Sequence, residues 1–247
     1  MSTARLNLFW IVIFGLTLPL GIVVSTHLAR RSFERVKLRD QTITVKGYAE
    51  RPITADRGMW NARITARAAE MVPAYASLER SRDLMLTFLK AHAFEVTDVD
   101  LSPVSITIVY ERDKEGNRTN AIEGYVLSQD FSISGDDVAL IARTARNASD
   151  LISKGVELNS SAPTYLYTKL DDMKLQMLSE AAQNARQRAE ELVNHSGSRL
   201  GKLRSASQGV FQITPAYSTE VSGSGINDTE SIDKVIKAVV TLEYAIE

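Results

Sequence analysis

The side chains that could do chemistry in this chain are few. It has three histidines, His27, His92 and His195, and no cysteine. A disulfide framework, a thiolate metal site and a cysteine nucleophile are therefore excluded together. Carboxylates come as the close pairs Asp98/Asp100, Asp136/Asp137 and Asp171/Asp172, with Asp56 and Asp130 as single candidates. Paired carboxylates can share general acid–base work, and a histidine near neutrality can move a proton. The spacing favours plainer roles. His92 and His195 fall where helices are expected to end, and imidazole suits that end of the helix dipole. Each aspartate pair falls at a loop or a helix start, where a short carboxylate caps free backbone N–H groups. Asp113, Glu115 and Asn117 alternate like calcium ligands, but the glycine is misplaced and no closing Glu stands at the required distance, so a solvated turn is expected. Gly223-Ser224-Gly225 lacks the strand-to-helix setting of a nucleophile elbow and the third glycine of a dinucleotide loop. The sequence thus names no catalytic, cofactor-binding or metal-binding residue. The competing reading is a hydrolase whose carboxylates come from separate loops, with a small-molecule carrier as a third.

The elements that would position such groups follow from periodicity. Residues 42–49 and 59–68 read as strands; in the second, Trp60, Ala62, Ile64 and Ala66 alternate with Asn61, Arg63, Thr65 and Arg67. Val72-Pro73 opens a helix with Tyr75, Leu78, Met85, Leu86 and Leu89 inward, ending near Ala93. Strands near 103–111 and 122–133 flank a charged turn. A second helix after Gly135-Asp136-Asp137 carries Val138, Ile141, Ala145, Ala148 and Ile152, and Gly155 stops it. A strand near 156–167 precedes the longest helix, which starts at Thr168-Lys169-Leu170-Asp171, runs to about Asn194 and ends at Gly197. Its stripe is Leu170, Met173, Met177 or Leu178, Ala181, Ala185, Ala189 and Leu192. Strands near 202–214 and 234–246 close the chain, and 218–229 reads as a flexible polar loop. The fold class is α+β, with two β-α-β-β-like units over 57–133 and 156–246 and antiparallel sheets covered by helices.

The chain is 247 residues long, 44% hydrophobic and 24% charged, which suits a packed domain. From Leu6 to Thr26 no side chain ionises, and Leu6, Trp10, Phe14, Leu20 and Val24 mark a run long enough for the roughly 30 Å hydrocarbon core. Residues 1–40 are expected to form a transmembrane anchor and basic collar, and 41–247 the folded domain, with the lipid bilayer as a partner. Val24, Thr26 and their neighbours offer no good small-x-small cleavage site. Arg5, Arg30, Arg31, Arg35, Lys37 and Arg39 oppose Glu34 in the first 39 residues, leaving 23 basic against 29 acidic groups in the rest. That acidic remainder argues against a nucleic-acid partner. The basic collar, taken alone, places the domain on the cytoplasmic face.

Three stretches resemble the SIMPL-domain family of bacterial envelope proteins. Ile43-Thr44-Val45-Lys46-Gly47-Tyr48-Ala49 resembles its opening strand, and Gly124-Tyr125-Val126-Leu127-Ser128-Gln129 is similar to its G-Y-x-A-S-Q strand. The third and most specific runs through Ala185, Arg186, Arg188 and Ala189 to Gly197 and Gly201, like the family's A-x-x-x-A-R-x-R-A-E-x-L … G-x-x-L-G signature. The resemblance implies an exported, homo-oligomeric domain on the periplasmic side of the inner membrane. It also implies an envelope protein partner and a link to oxidative or envelope stress. The expected function is a membrane-anchored, non-enzymatic scaffold or interaction protein.

Overall fold

The structure, a computed structural model, describes residues 41–247 together with Ser25 and Thr26. The anchor residues Leu6, Trp10, Phe14, Leu20 and Val24 lie outside the described residues. Among the described residues no helix is long and apolar enough to cross a membrane. In chain order the elements are β1 (Thr42–Thr54), β2 (Arg57–Ala68), α1 (Met71–Ala91), a 3-10 turn (Val96–Asp98), β3 (Val99–Leu101), β4 (Ser105–Arg112) and β5 (Arg118–Gly135). Then come α2 (Val138–Asn147), α3 (Asp150–Ser153), β6 (Glu157–Ser160), β7 (Thr164–Leu166), α4 (Leu170–His195), β8 (Leu200–Gln208), β9 (Gln212–Pro215), β10 (Ile226–Asn227) and β11 (Asp233–Ile246). The class is α+β with largely antiparallel sheets, as the sequence indicates. The chain divides into two compact units: Glu50–Leu175 with Val210–Lys237, and the rest, which contains Gln176–Gly209, Ala238–Glu247 and the residues up to Ala49.

The larger unit holds a sheet of order β3-β5-β2-β6, with β4 also on β5 and β7 also on β2, antiparallel throughout. The alternation in β2 places Trp60, Ala62, Ile64 and Ala66 on the buried face beside Leu127, Phe131 and Ile133 of β5, where they join Leu78, Met85 and Leu89 of α1 in one core. Each large side chain so buried contributes about 1.5–3 kcal/mol. Two inward expectations fail. Tyr75 is 42% exposed because α1 turns Ala74, Leu78, Ser81 and Met85 inward. Ile152 is exposed because the expected single helix breaks at Ala148–Ser149, and the short α3 buries Leu151 instead. The strand expected over 156–167 is two short strands, and both pair with β2: Ser160 lies opposite Ala62, and Thr164 opposite Met59. The order of elements repeats, but the pairing does not follow the repeat.

The smaller unit is built on α4 from Gln176 onward. Met177, Ala181, Ala185, Ala189 and Val193, each four residues after the last, are buried. That spacing keeps one narrow, small-residue face toward the sheet. Leu192, expected in the stripe, is exposed, and Val193 takes its place. The helix ends at Gly197, whose φ of +75° suits glycine. Of its strands, β8 pairs with β11, with Ala206 opposite Leu242. Among the described residues β1 neighbours β11 alone, and the Ile246 N–H donates to the Gln41 carbonyl at 2.9 Å.

Candidate functional site

The signature residues of the smaller unit turn out to fasten one strand to one helix. A Cβ on Gly47 would collide with the Ala181 carbonyl and come within 2.6 Å of the Ala185 Cβ, so glycine and alanine here let β1 and α4 touch backbone to backbone. Two side chains of α4 then reach the strand's own polar groups. The Tyr48 N–H donates to Asn184 Oδ1 at 3.1 Å, and Arg188 donates to the Lys46 carbonyl at 3.3 Å. Backbone groups of residues two apart in a strand point the same way, so α4 occupies hydrogen-bonding positions along one edge of β1. Ala189 continues the buried face. Arg186 instead donates to Glu190 on its own helix at 2.8 Å, which raises its pKa. Gly201 leaves room for the Ala245 carbonyl, 2.9 Å from where a Cβ would stand.

In the larger unit, Gly124 admits the Ala68 carbonyl, 2.8 Å from a would-be Cβ, and Tyr125 packs half-buried on the core. Gln129 lies on the buried face among Leu127 and Phe131, and its amide donates to the Ser102 carbonyl at 2.8 Å. Ser102 is bound again by Asp130, whose N–H donates to its Oγ at 2.9 Å and whose carbonyl accepts its N–H at 3.1 Å. Gln129 therefore holds the link between β3 and β4 against β5. Its Oε1 is buried without a partner.

The segment read as a flexible loop is an ordered clasp. Gln212 Nε2 donates to the Ser222 carbonyl at 2.7 Å, and Lys237 Nζ donates to the Ser218 carbonyl at 2.5 Å. β10 runs parallel to β9, with Ile226 opposite Gln212. Lys234, only 2% exposed, donates to the Asp228 carbonyl at 2.6 Å and to its carboxylate at 3.2 Å. Burial pushes the Asp228 carboxyl up, but N–H donors of Glu230 and Ser231 together with the Lys234 ammonium outweigh it and hold the group below its ordinary value. Leu166, Leu170, Ile213 and Asn227 line a small void of about 40 Å³ beside this pair. A lysine in phase with Ile236 and Ala238 was the available signal for it.

The other carboxylates take structural positions. Asp137 caps α2 by accepting from the Leu140 N–H at 2.8 Å, Asp136 pairs with Arg57, and Asp98 forms a capping box with Glu95. Asp56 accepts from the Thr168 N–H at 2.7 Å and its hydroxyl at 2.9 Å, so Thr168 is engaged there and not in the expected capping box. Asp113 gathers the Glu115 and Asn117 N–H groups into the hairpin turn. Asp130 takes both nitrogens of Arg63, at 2.6 and 3.0 Å, and the guanidinium lowers its pKa. With Asn61, Asn159 and Ser161 this pair lines an open polar groove of about 460 Å³ on the wet side of the sheet. The ring nitrogens of His92 and His195 meet the carbonyls of Phe88 and Glu191 one turn back; His27 lies outside the described residues. Among the described residues no group of three His, Asp or Glu side chains could hold a metal ion.

One of the edge strands carries exposed isoleucines. Among the described residues β4 pairs with β5 and with no second strand. Ile106, Ile108 and Tyr110 lie opposite Leu127, Tyr125 and Ile122, so they share the face that is core elsewhere in the sheet. Here Ile106, Ile108 and Ile122 are 51%, 39% and 46% exposed. Arg118 sits 3.7 Å over the Tyr110 ring.

The sequence model of the SIMPL family, described as a protein of unknown function (DUF541), matches residues 43–244. The chain belongs to the SIMPL family. No curated protein matches it significantly.

Proposed function

We propose that this chain is a non-enzymatic interaction module of the bacterial envelope, held by Leu6–Thr26 on the periplasmic side of the inner membrane and working as a homo-oligomeric scaffold in envelope or oxidative stress. The observation that carries the reading is the open strand β4 with its exposed isoleucines. Sheet proteins ordinarily blunt such an edge with charge, proline or a covering element, and a long apolar edge left bare is a site for another chain. The family signature supports it as well, because Gly47, Ala185, Arg188 and Gln129 fix strands in place. Light scattering on the full chain in detergent should give a protein mass above that of one copy. A monomer mass at every concentration removes the scaffold. Turnover on any substrate that disappears with Asp130→Asn replaces it with an enzyme. Protease added to spheroplasts should digest the folded part, and survival of the intact chain until lysis moves the domain to the cytoplasmic face.

A further inference from the structure

Resting on that reading, we propose that the occupant of the β4 edge is β4 of a second copy, paired antiparallel about Ile108. The argument is self-complementarity. Residues Ser105–Tyr110 carry no charge, so no like charges meet when the edge pairs with itself. With Ile108 on the two-fold axis, Ile106 lies opposite Tyr110 of the other copy on the apolar face, and Thr107 lies opposite Val109 on the other face. The first charged residues, Glu111 and Arg112, fall opposite Ser105 and Val104, which are neutral. A shift of the axis to Val109 instead sets Arg112 against Ile106 and Glu111 against Thr107. A shift to Thr107 carries Asp113 opposite Leu101 and Glu111 opposite Pro103, which has no N–H for the ladder. The two-fold arrangement is the isologous one that closed pairs of identical chains adopt.

Size sets the strength. Eight residues span about 26 Å, and a sheet is about 10 Å deep, so the paired edges bury roughly 500 Å² over both copies, below the ~1,200 Å² of a stable free dimer. The contact therefore adds to whatever else holds the copies together, and forms within an oligomer that survives detergent or where copies are concentrated on a shared membrane.

The chain has no cysteine, so one introduced thiol can form a disulfide only with another molecule. Directly opposed residues stand about 4.5–5.5 Å apart at Cβ, near disulfide reach. Full-length Ile108→Cys in native membranes, treated with a mild oxidant, should give a crosslinked dimer at least five-fold more than either Ile106→Cys or the collision control at the fully exposed Tyr217 (Tyr217→Cys). Ile106→Cys combined with Tyr110→Cys should restore crosslinking. If Ile108→Cys fails to accumulate, the pair Thr107→Cys with Val109→Cys reads the same register. Equal crosslinking at residues 108 and 217 overturns the proposal, as does a product joining residue 108 to a different protein. Absence of the dimer in a preparation that scatters as an oligomer overturns this surface and leaves the scaffold standing. Absence in a preparation that scatters as a monomer removes both.

Discussion

Three sheet edges in this protein are treated differently. The edge of β1 in the smaller unit is occupied by Asn184 and Arg188 of α4. The edge of β9 in the larger unit is occupied by the clasp, through β10 and the Gln212–Ser222 bonds. The edge of β4 carries isoleucines and, among the described residues, no second strand. The closures at the first two edges use polar side chains: an asparagine and an arginine from the covering helix, and a glutamine and a lysine from the strands that the clasp lies against. Among the described residues these two edges are closed by neighbouring segments, whereas β4, like β6 and β8, has a single strand partner. The difference singles out β4 as the apolar edge on which the proposed pairing rests.

The comparison breaks first at the clasp. Lys234→Ala leaves the buried Asp228 carboxylate without its cation and is expected to cost about 3–5 kcal/mol in denaturant unfolding. A loss under 1 kcal/mol means the clasp does not secure the β9 edge. The same pair predicts acid sensitivity. The Asp228 pKa is depressed in the fold, so its contribution is complete above the unfolded carboxylate value near ~4 and declines as pH falls through the lower folded value. Asp228→Asn should flatten that part of the stability–pH curve, which thermal scans between pH 2 and 6 can follow.

Next comes the β1 edge. Gly47→Ala forces β1 off α4 and is expected to cost about 3 kcal/mol. An unchanged Tm would show that strand and helix are not held at contact distance. Finest is a contrast within one helix. Arg188→Ala uncovers the Lys46 carbonyl and should cost about 1 kcal/mol, with faster amide exchange in β1. Arg186→Ala, two residues earlier, loses the Glu190 pair on its own helix and only an electrostatic interaction with Tyr244, so it should move both readings less. Equal effects from the two arginines would dissolve the distinction between a covered edge and an ordinary charged surface.

Much of the covered architecture is legible in the chain itself. The alternation of β2 tells which face is core, and the alanines of α4 announce a helix lying close on a sheet. Less legible are polar residues placed in an apolar phase. Gln129 sits between Leu127 and Phe131, and Lys234 two residues before Ile236. Read by composition, each suggests solvent; read by parity, each belongs to the buried face and must have a partner there. Residues 218–229 read as a flexible polar loop for a related reason, since Ser, Gly, Asn and Asp suit a linker and a clasp equally. What distinguishes the two lies in the flanking strands, at Gln212, Lys234 and Lys237. The break in the second helix was invisible because Ala148 and Ser149 carry no stop signal. The exposure of β4 was invisible because its pattern is that of any half-buried strand, and only the pairing shows that no second strand among the described residues lies beside it.

The pairing of β1 with β11 also has a bearing on the timing of synthesis. Roughly 200 residues separate Gln41 from Ile246, whose backbones meet. At about 5–20 residues per second a ribosome needs on the order of 10–40 s to make that interval. Throughout it, β1 has been made and its one strand neighbour among the described residues has not. Any chaperone or export machinery that meets the nascent chain therefore meets β1 unpaired, and this unit closes only after the last strand has been made.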